Sequence, residues 1–365
     1  MPDDAPTPDA PTPDAPKPKA RLRDIAIAAG VAQGTVSNVF NHPERVSDAI
    51  RAKVMAAAET LGYQGPDPLA RMLRTGHIGT IAVMIPEGLS YAFGDPAALA
   101  LIQGVAAVCD ETGRGISVYA ASDVEAARKA LGSAAVDGFI MYCMEEEPGV
   151  LDIIRSRGLP VVTVDQPLVE GCRTVTVADR SGAEASARHL LELGHRRIGV
   201  LSMELMPDSR EGAVSLRRIR DSIYDACQQR LCGYLDVLAE AGIPAGQVAI
   251  EECLFEAESI ERSMPRLMRR RPGLTAILAT CDRLALWAMA WLTRQGLSVP
   301  GDVSVIGFDD IAAAATSTPP LTTIRQPLVE KGRAAAELLI DPRGRDQIHF
   351  GTELVLRAST GPAKG

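Results

Sequence analysis

The 365-residue chain lacks the features that mark several classes of protein. It has no run of about 20 apolar residues, the length that crosses a bilayer as a helix. Its first residues have no apolar core like that of a secretory signal. The seven cysteines are an odd number without paired C-x-x-C spacing, which favours small buried side chains in a reducing compartment. These absences predict a cytoplasmic protein with no membrane contact and no metal site.

Motifs of the common catalytic classes are missing as well. The chain has no glycine-rich phosphate loop, no G-x-S-x-G nucleophile elbow and no cluster of metal ligands. The pair Asp309-Asp310 follows a predicted strand, and we interpret it as the anchor of a turn and not as catalytic. We therefore expect no enzymatic activity, no catalytic residue and no cofactor.

Residues 1–20 contain three near-copies of one pentapeptide, DAPTP, DAPTP and DAPKP. Proline at this density does not fit the interior of a helix or sheet and favours extended polyproline conformers. The composition therefore predicts a disordered tail.

The segment 21–64 predicts a compact unit of three helices. Apolar residues recur at helical spacing up to Gly30, where a tight turn needs a residue that can adopt positive φ. The second helix has an apolar face opposite a polar one, which is typical of the recognition helix of a helix-turn-helix DNA-binding domain. Ser47 can cap a third helix that stops at Gly62. The apolar residues of the second helix are Val36, Val39 and Phe40.

The charge of the chain is divided unevenly. The region from Lys17 to Thr80 has nine basic and five acidic residues, a net charge of +4, whereas the whole chain carries −8. A basic N-terminal module on an acidic body suits local contact with DNA phosphates.

The same segment resembles the headpiece of the LacI/GalR (lactose-repressor) family of bacterial transcription regulators. It matches almost throughout the pattern D-[IV]-A-x-x-A-G-V-[SA]-x-x-T-V-S-x-[VIL]-[FL]-N, followed by V-S and R-x-K-V-x-x-A-x-x-L-G-Y. The alternative is a small helical bundle that binds no DNA. The resemblance implies double-stranded DNA as partner, with Gln33, Gly34 and Asn38 at the base edges of the major groove and Thr35, Ser37 and Asn41 nearer the phosphates.

Three departures from the family pattern affect the recognition helix. Many relatives have Arg at the position of Asn38; because Asn pairs with adenine and Arg with guanine, we predict an A·T pair in the operator there. Ala32 replaces the usual Ser cap, and Gly34 lies in the first turn and offers no side chain. Each of these two changes costs about 0.5 to 2 kcal/mol of local helix stability.

Residues 65–77 are predicted to form a hinge in which a linker turns into a short helix, which is marginal alone in water. The resemblance implies that Leu73 enters a minor-groove base step, with Arg71 beside it on the DNA. The alternative is that Met72 and Leu73 pack against the next domain.

From residue 78 to residue 361, short β-rich runs alternate with helical stretches. Apolar strands separated by helices predict parallel sheets covered on both faces. The predicted strands are Ile78–Ile85, Ile116–Tyr119, Gly138–Tyr142, Val161–Val164, Arg197–Leu201, Thr275–Ala279 and Val303–Phe308.

The resemblance extends over nearly all of this region and implies a periplasmic-binding-protein-like domain of two α/β lobes with three crossovers. We place the crossovers near Ala178, Asp309 and Ile340. Lobe 1 then comprises about 78–177 and 309–340, and lobe 2 about 178–308 and 341–361. A ligand is expected in the cleft between the lobes, beyond the carboxyl ends of the strands.

Two residues match positions at which family members hold an effector. Arg230 resembles the arginine that reaches polar groups of a bound sugar or base, and Asp282 resembles the acid that takes paired hydroxyls. The alternatives are a surface ion pair for Arg230 and a helix N-cap for Asp282. Phe255 could stack on the ligand, and Tyr91 and Phe93 lie where the commoner Asn-Pro-Phe run is replaced. The implied effector is a sugar or nucleoside.

A polar insertion at 206–224 contains the cluster Arg217-Arg218-Ile219-Arg220. The cluster could cover the mouth of the cleft or touch an anionic ligand, or it could form a solvated loop or helix face.

The sequence thus predicts a sequence-specific DNA-binding repressor that binds a pseudo-palindromic operator as a homodimer and responds to a small molecule between its lobes. The alternative is the solute-binding protein of a transporter. That alternative leaves residues 21–74 unexplained and needs an export signal.

Overall fold

The computed structural model describes residues 20–63, 65, 76–144, 148–341 and 343–364. The chain forms two compact units, Met1–Ile78 and Gly79–Gly365. The predicted tail up to residue 19 and most of the hinge, including Arg71 and Leu73, lie outside the described residues. Within the described ranges, no helix is both long and apolar enough to span a bilayer.

The described part of the first unit is a small helical core. Its helices are α1 (Leu22–Ala29), α2 (Gln33–Asn41) and α3 (Asp48–Thr60), with a 3₁₀ turn at Pro43–Arg45. Ile25, Val36 and Val54, one from each helix, are fully buried against one another. The predicted stop of α1 is confirmed, because Gly30 has φ 62° and donates its N–H back to the last turn.

The beginnings of α2 and α3 carry weak caps. Ala32 holds the N-cap position of α2 and has no side-chain acceptor, as predicted. Ser47 holds the N-cap position of α3, but its side chain makes no capping hydrogen bond. Both helices therefore depend on their packed apolar faces more than on their ends.

The second unit alternates strands and helices. Its first half comprises β1 (Thr80–Ile85), α4 (Leu89–Ala92), α5 (Pro96–Thr112), β2 (Gly115–Ala120), α6 (Val124–Ser133), β3 (Gly138–Tyr142), α7 (Pro148–Ser156), β4 (Val161–Val164) and β5 (Arg173–Val177). There follow α8 (Asp179–Glu192), β6 (Ile198–Ser202), β7 (Gly212–Ala213), α9 (Leu216–Arg220), α10 (Asp225–Glu240), a 3₁₀ turn (Ala245–Gln247), β8 (Ala249–Glu252), α11 (Ala257–Arg270), β9 (Ala276–Ala279) and α12 (Asp282–Arg294). The last elements are β10 (Ser304–Asp309), α13 (Ala312–Thr316), β11 (Thr322–Arg325), α14 (Leu328–Ile340), β12 (Gln347–Phe350) and β13 (Glu353–Val355).

These strands form two sheets in the described residues, each the centre of one lobe. The first lobe has the order β12-β5-β4-β3-β1-β2, and its pairs are all parallel. The second lobe has the order β13-β11-β10-β9-β6-β8-β7, with antiparallel pairing only at the edge strands β13 and β7. The predicted fold class, a helical headpiece followed by an α/β body with parallel sheets, is confirmed.

Both faces of each sheet are covered. Along β1, Ile81, Val83 and Ile85 belong to one buried cluster, while Ala82 and Met84 belong to another. Successive side chains of a strand point to opposite faces, so two apolar clusters need helices on both sides. This explains why β1 is a continuous apolar run and has no alternation.

Helices α5 and α14 approach each other closely on the first lobe. A Cβ at Gly104 would lie 1.9 Å from the carbonyl oxygen of Val329, and a Cβ at Gly332 would lie 1.9 Å from that of Leu101. Only glycine permits this contact, which brings α14 against the first sheet.

The structure places the crossings between lobes at three points. The first lies between Val177 and Asp179. The predicted crossings near Asp309 and Ile340 are wrong, because β11 pairs with β10 and β12 pairs with β5. The chain therefore crosses at 326–327 and again at 351–352. Strand β11 has the sequence TTIR, and both of its threonines are buried. Because threonine is polar, the hydrophobicity of this segment does not predict a core strand.

Candidate functional site

Helix α2 presents a polar surface opposite its buried face. Val36 and Val39 point into the core. Gln33 and Gly34 are exposed, and Thr35, Ser37 and Asn38 are partly exposed. Asn41 ends the helix, and its side chain lies outside the described part of the structure. The helix therefore has the accessible polar face that a recognition helix needs.

In the second unit, a cavity of about 160 Å³ lies between the lobes, at the carboxyl ends of their parallel strands. The first lobe contributes residues that follow β1, β3 and β4, and the second lobe contributes residues that follow β6 and end β10. Open parallel α/β sheets bind ligands at this edge. The charged side chains that line the cleft are Glu87, Asp95, Asp165, Glu204, Arg230, Arg283 and Asp309.

Arg230, on α10, is a buried cation in the wall of the cleft. Its Nε donates to Asp179 at 2.7 Å, and its Nη1 donates to the carbonyl of Thr280 at 2.6 Å and lies 3.4 Å from Asp309. The guanidinium also lies 3.7 Å from the ring centroid of Phe308. Burial alone would lower its pKa, but the carboxylates of Asp179 and Asp309 hold the pKa of Arg230 above its ordinary value. Arg230 thus lines the cleft in a buried ion pair and not in a surface one.

Asp309 and Asp310 have different environments. Asp310 pairs with Arg325 at 2.7 Å and with Arg357 at 2.5 Å, and so anchors the turn. Asp309 has φ 121°, lines the cleft and accepts from Nε2 of Gln326 at 2.6 Å. Burial raises the pKa of Asp309, while Arg230 opposes that shift. The interpretation as a turn anchor is therefore corrected for Asp309, which belongs to the cleft.

The structure does not bring Asp282 to the cleft. One carboxylate oxygen accepts from Thr323 at 2.5 Å and the other from the backbone N–H of Ile311 at 2.9 Å, and the side chain is fully buried. Asp282 opens α12 and connects it to neighbouring segments of its lobe, which corrects its assignment as an effector ligand. The next residue, Arg283, lines the cleft instead.

Aromatic rings from both lobes surround Arg283. Its guanidinium carbon lies 4.2 Å from the ring centroid of Phe255, 4.8 Å from that of Trp287 and 6.0 Å from that of Tyr91. Tyr91 of the first lobe contacts Phe255 of the second, with centroids 5.4 Å apart. Nη1 of Arg283 also lies 3.9 Å from Asp95 across the cleft. These contacts join the two lobes at the cleft.

Phe93 is not among the residues that line the cleft. It follows α4 and is 55% exposed, whereas Tyr91, two residues earlier, reaches the cleft. Residues two apart on a helical turn face different directions, so only one of this pair can serve the site.

The arginine cluster of the 206–224 insertion does not line the cleft either. Arg218 is buried and donates to Glu252 at 2.5 and 2.7 Å and to Asp208 at 2.7 and 2.9 Å. Its guanidinium fastens the insertion to the end of β8. Two residues near the ends of the insertion do line the cleft: Glu204, just before it, and Tyr224, its last residue.

Several cleft residues were missed in the sequence. Glu87 and Asp165 come directly after predicted strands or within two residues of them, and acids at such positions could have been chosen as candidates. Arg283 directly follows Asp282, which was the predicted ligand. For Glu87 and Asp165, the feature that could have identified them is their position just after a predicted strand, and not a sequence motif.

Comparison with known proteins agrees with both units. Residues 21–65 match the family model described as bacterial regulatory proteins, lacI family, and residues 187–360 match the periplasmic binding protein-like domain. An HTH-type transcriptional regulator of Mycobacterium tuberculosis is 37% identical over 352 residues, covering 94% of this chain and 98% of the relative. The lac repressor dimer bound to operator and the anti-inducer ONPF superposes with a TM-score of 0.75 at 25% identity, covering 94% of this chain and 100% of that one. The complex of the transcriptional regulator CelR with cellobiose superposes with a TM-score of 0.67 at 27% identity, covering 93% of this chain and 99% of that one.

The helical headpiece, the two-lobed body and these matches define a DNA-binding transcriptional regulator with an effector-binding domain. The chain belongs to the lacI family of bacterial regulatory proteins. The alternative of a solute-binding protein of a transporter is not supported, because the relatives carry the same N-terminal domain and are named as regulators.

Proposed function

We propose that this regulator represses transcription as a homodimer on a pseudo-palindromic operator, and that a small uncharged sugar-like molecule in the cleft changes its affinity for that operator. The observation that carries the ligand assignment is the lining of the cleft, which combines several carboxylates with two guanidinium groups. We further infer that it acts in the cytoplasm, where its operator lies.

The DNA contacts are assigned to the polar face of α2. Asn38 and Gln33 are accessible and carry amides that can pair with adenine. Thr35, Ser37 and Asn41 carry small polar groups suited to phosphates. Gly34 has no side chain and can contribute only backbone contacts to the DNA.

The charge of the cleft argues for a neutral ligand. Five carboxylates line it against two guanidinium groups, and Arg230 is already opposed by Asp179 and Asp309. A phosphate or carboxylate group would therefore meet more negative than positive charge. Hydroxyl groups can donate charge-assisted hydrogen bonds to the same carboxylates. This balance favours a polyhydroxylated molecule over an anion.

The aromatic rings argue for a sugar over a nucleoside. Arg283 lies 4.2 Å from the ring centroid of Phe255, and Tyr91 contacts the same ring. A flat base that stacked on Phe255 would have to displace these neighbours. A sugar needs no such stacking face. The cellobiose in the similar CelR complex is in keeping with this class.

The test is an operator titration. Fluorescence anisotropy with a duplex from the promoter of its own gene would be measured with D-ribose, D-glucose, cellobiose, adenosine or glucose 6-phosphate present. A neutral sugar is expected to change operator affinity by about 5- to 150-fold, with either sign. By linkage, operator DNA must change sugar affinity by the same factor.

Matched variants separate the cleft from the surface. Glu204→Gln removes a charge from the cleft lining and should weaken the sugar response while leaving operator binding without sugar intact. Glu258→Gln, at an exposed position of α11, should change neither. A response to glucose 6-phosphate or adenosine alone would overturn the ligand class. Sedimentation showing only monomers at the concentrations that bind DNA would overturn the homodimer.

A further inference from the structure

The insertion at 206–224 joins two stretches of chain that line the cleft. Glu204 precedes the insertion and Tyr224 ends it, and both belong to the second-lobe wall of the cleft. Further residues of the same wall lie on either side of the insertion, namely Met203, Ala226 and Cys227. The position of this wall therefore depends on how the insertion is held.

The two ends of the insertion are tied to each other at Leu205. Its carbonyl oxygen accepts from the backbone N–H of Ile223 at 3.1 Å and from Oγ of Ser222 at 3.0 Å. Leu205 is fully buried and shares an apolar cluster with Ile219, from the middle of the insertion. Loops whose ends are close and whose side chains pack together are compact, and they are frequently functional.

One arginine of the insertion fixes this loop to the second sheet. Arg218, on α9, is 8% exposed, and its guanidinium donates to Glu252, at the end of β8, at 2.5 and 2.7 Å. The same guanidinium donates to Asp208, elsewhere in the loop, at 2.7 and 2.9 Å. Glu252 is buried and also accepts from the backbone N–H of Leu205 at 2.7 Å. Arg218 and the base of the loop thus share one buried carboxylate.

These contacts leave Arg218 no free face for an anionic ligand. The planar guanidinium can serve Glu252 and Asp208 at once, which the compact ammonium group of a lysine does not do. The neighbouring arginine differs, because the side chain of Arg217 is 85% exposed and pairs at 3.2 Å with Asp221, four residues further along the chain. Arg218 therefore holds the loop in place, and Arg217 provides a matched control for it.

The cavity beside this wall is small. Its volume is about 160 Å³, whereas pockets for drug-sized ligands measure roughly 300 to 1,000 Å³. A single sugar ring suits such a space better than the two rings of a disaccharide.

We propose that the insertion is a specificity element that limits the effector to a single sugar ring, and that Arg218 is the positioning residue that holds this element in place through Glu252. The inference rests on the proposed function, because it takes the cleft as the site of a neutral sugar. It gives the insertion one role, where its sequence left open a cover of the cleft, a contact with an anion and a solvated face.

The experiment measures binding of D-ribose, D-glucose and cellobiose to the full-length protein by isothermal titration calorimetry. The quantity of interest is the ratio of affinities between the single-ring sugar that binds and cellobiose. In the wild type this ratio should be about tenfold or more, since a fixed wall rejects the second ring by steric clash.

A double variant loosens the wall without leaving an unpaired buried charge. In Arg218→Met/Glu252→Gln the amide oxygen of the glutamine can still accept from Leu205, whereas Arg218→Met alone would leave the buried carboxylate without its cation. The ratio should fall about tenfold, within the range of coupling between residues of one hydrogen-bond network. A purely structural arginine would weaken binding of both sugars alike and leave the ratio unchanged.

Two further variants complete the test. Asp208→Ala, at a position that is 47% exposed, removes the second partner of Arg218 and should shift the ratio in the same direction by less. Arg217→Met should keep the ratio of the wild type. Tryptophan fluorescence during urea unfolding shows whether each variant is folded.

The outcomes are distinguishable. If the wild type binds cellobiose as tightly as a single-ring sugar, the limit to one ring is wrong and the proposed function stands. If the folded double variant and Asp208→Ala both keep the wild-type ratio, Arg218 does not position the wall. If no neutral sugar binds the wild type, the proposed function fails and this inference fails with it.

Discussion

The headpiece and the two-lobed body place their functional residues in opposite ways. In the headpiece, the candidate contacts lie on one helix of nine residues, α2. In the body, the cleft gathers side chains from strand ends that are spread between Ile85 and Gln326. A surface on one helix is encoded by local spacing, whereas the cleft exists only once the sheets have formed. The two sites should therefore respond differently to substitution.

The two units also differ in what they bury. Among the described residues of the headpiece, the buried side chains are apolar, and charged pairs such as Arg51 with Asp48 stay exposed. The body buries Arg230, Lys331 and Arg218 with their carboxylates. The stability of the body thus depends on satisfied charges in a way that the stability of the headpiece does not.

The largest effect is expected from breaking a buried charge cluster in the body. Arg230→Met should lower the free energy of unfolding by about 3 to 5 kcal/mol, because Asp179 and Asp309 lose their cation. Urea unfolding followed by tryptophan fluorescence measures it, since both tryptophans, Trp287 and Trp291, belong to the body.

An exposed arginine of the same lobe provides the control for that substitution. Arg180 pairs with Asp236, and its side chain is 47% exposed. Arg180→Met should cost less than about 1 kcal/mol. Equal losses for Arg230→Met and Arg180→Met would show that burial does not set the contribution of these charges.

A smaller and more selective effect is expected in the headpiece. Asn38→Ala should cost about 1 to 3 kcal/mol of operator affinity, the size of a bidentate contact to adenine, and leave sugar binding to the body unchanged. Titrations with the operator and with a scrambled duplex measure the change in specificity. Gln295→Ala, which removes an exposed amide from the body, should affect neither. Equal weakening on both duplexes would mean that Asn38 contacts phosphates and not bases.

The success of prediction from the sequence also differs between the headpiece and the body. The positions of Gly30, Ala32 and the buried face of α2 depend on contacts within a few residues, and the spacing of side chains was enough to find them. The parallel sheets were likewise predicted from apolar runs such as β1 and β3. Local pattern and local structure agree in these elements.

The cleft was predicted less completely because its geometry is not local. Asp282 and Arg283 are adjacent in sequence, yet one is fully buried behind Thr323 and the other faces the ligand space. The side chains of consecutive helical residues point about 100° apart, and only the docked position of α12 decides which one faces the cleft. Strand β11 was missed since its buried threonines make hydrogen bonds, which hydrophobicity does not reveal.

Repairing the missing cap of α2 tests how far the headpiece depends on local terms. Ala32→Ser places a hydroxyl acceptor at the N-cap and should stabilise the helix by about 1 kcal/mol, within the range measured for such caps. Slower hydrogen exchange of the amides at the start of α2, and tighter operator binding, are the expected results. Ala52→Ser, at an exposed position within α3, should be neutral or slightly destabilising. If Ala32→Ser leaves operator binding unchanged or weakens it, the missing N-cap of α2 does not limit operator affinity.

The smallest effect concerns pH and belongs to the body. Glu87 lines the cleft, where burial of its carboxyl group raises its pKa to about 7 and the nearby carboxylates of Asp95 and Glu204 raise it further. Because its pKa in the folded protein exceeds the ordinary 4.5, this group favours folding at low pH, and its contribution is lost as pH rises from about 4.5 to about 7. Ligand affinity should depend on pH in the opposite direction, since an ionised carboxylate accepts a hydrogen bond from a hydroxyl group more strongly than a neutral carboxyl group does.

Sugar affinity should therefore rise as pH increases through about 7. The gain is at most about 1 kcal/mol, the difference between a hydrogen bond to a charged group and one to a neutral group, and partial exposure of Glu87 reduces it. Calorimetry on either side of that pH measures the slope, which Glu87→Gln should flatten and Glu258→Gln should leave unchanged. Operator binding without sugar should keep the same pH dependence in all three proteins, because Glu87 belongs to the body and the DNA contacts are assigned to α2. A sugar affinity that falls with rising pH would mean that Glu87 binds as the neutral acid, donating to the ligand.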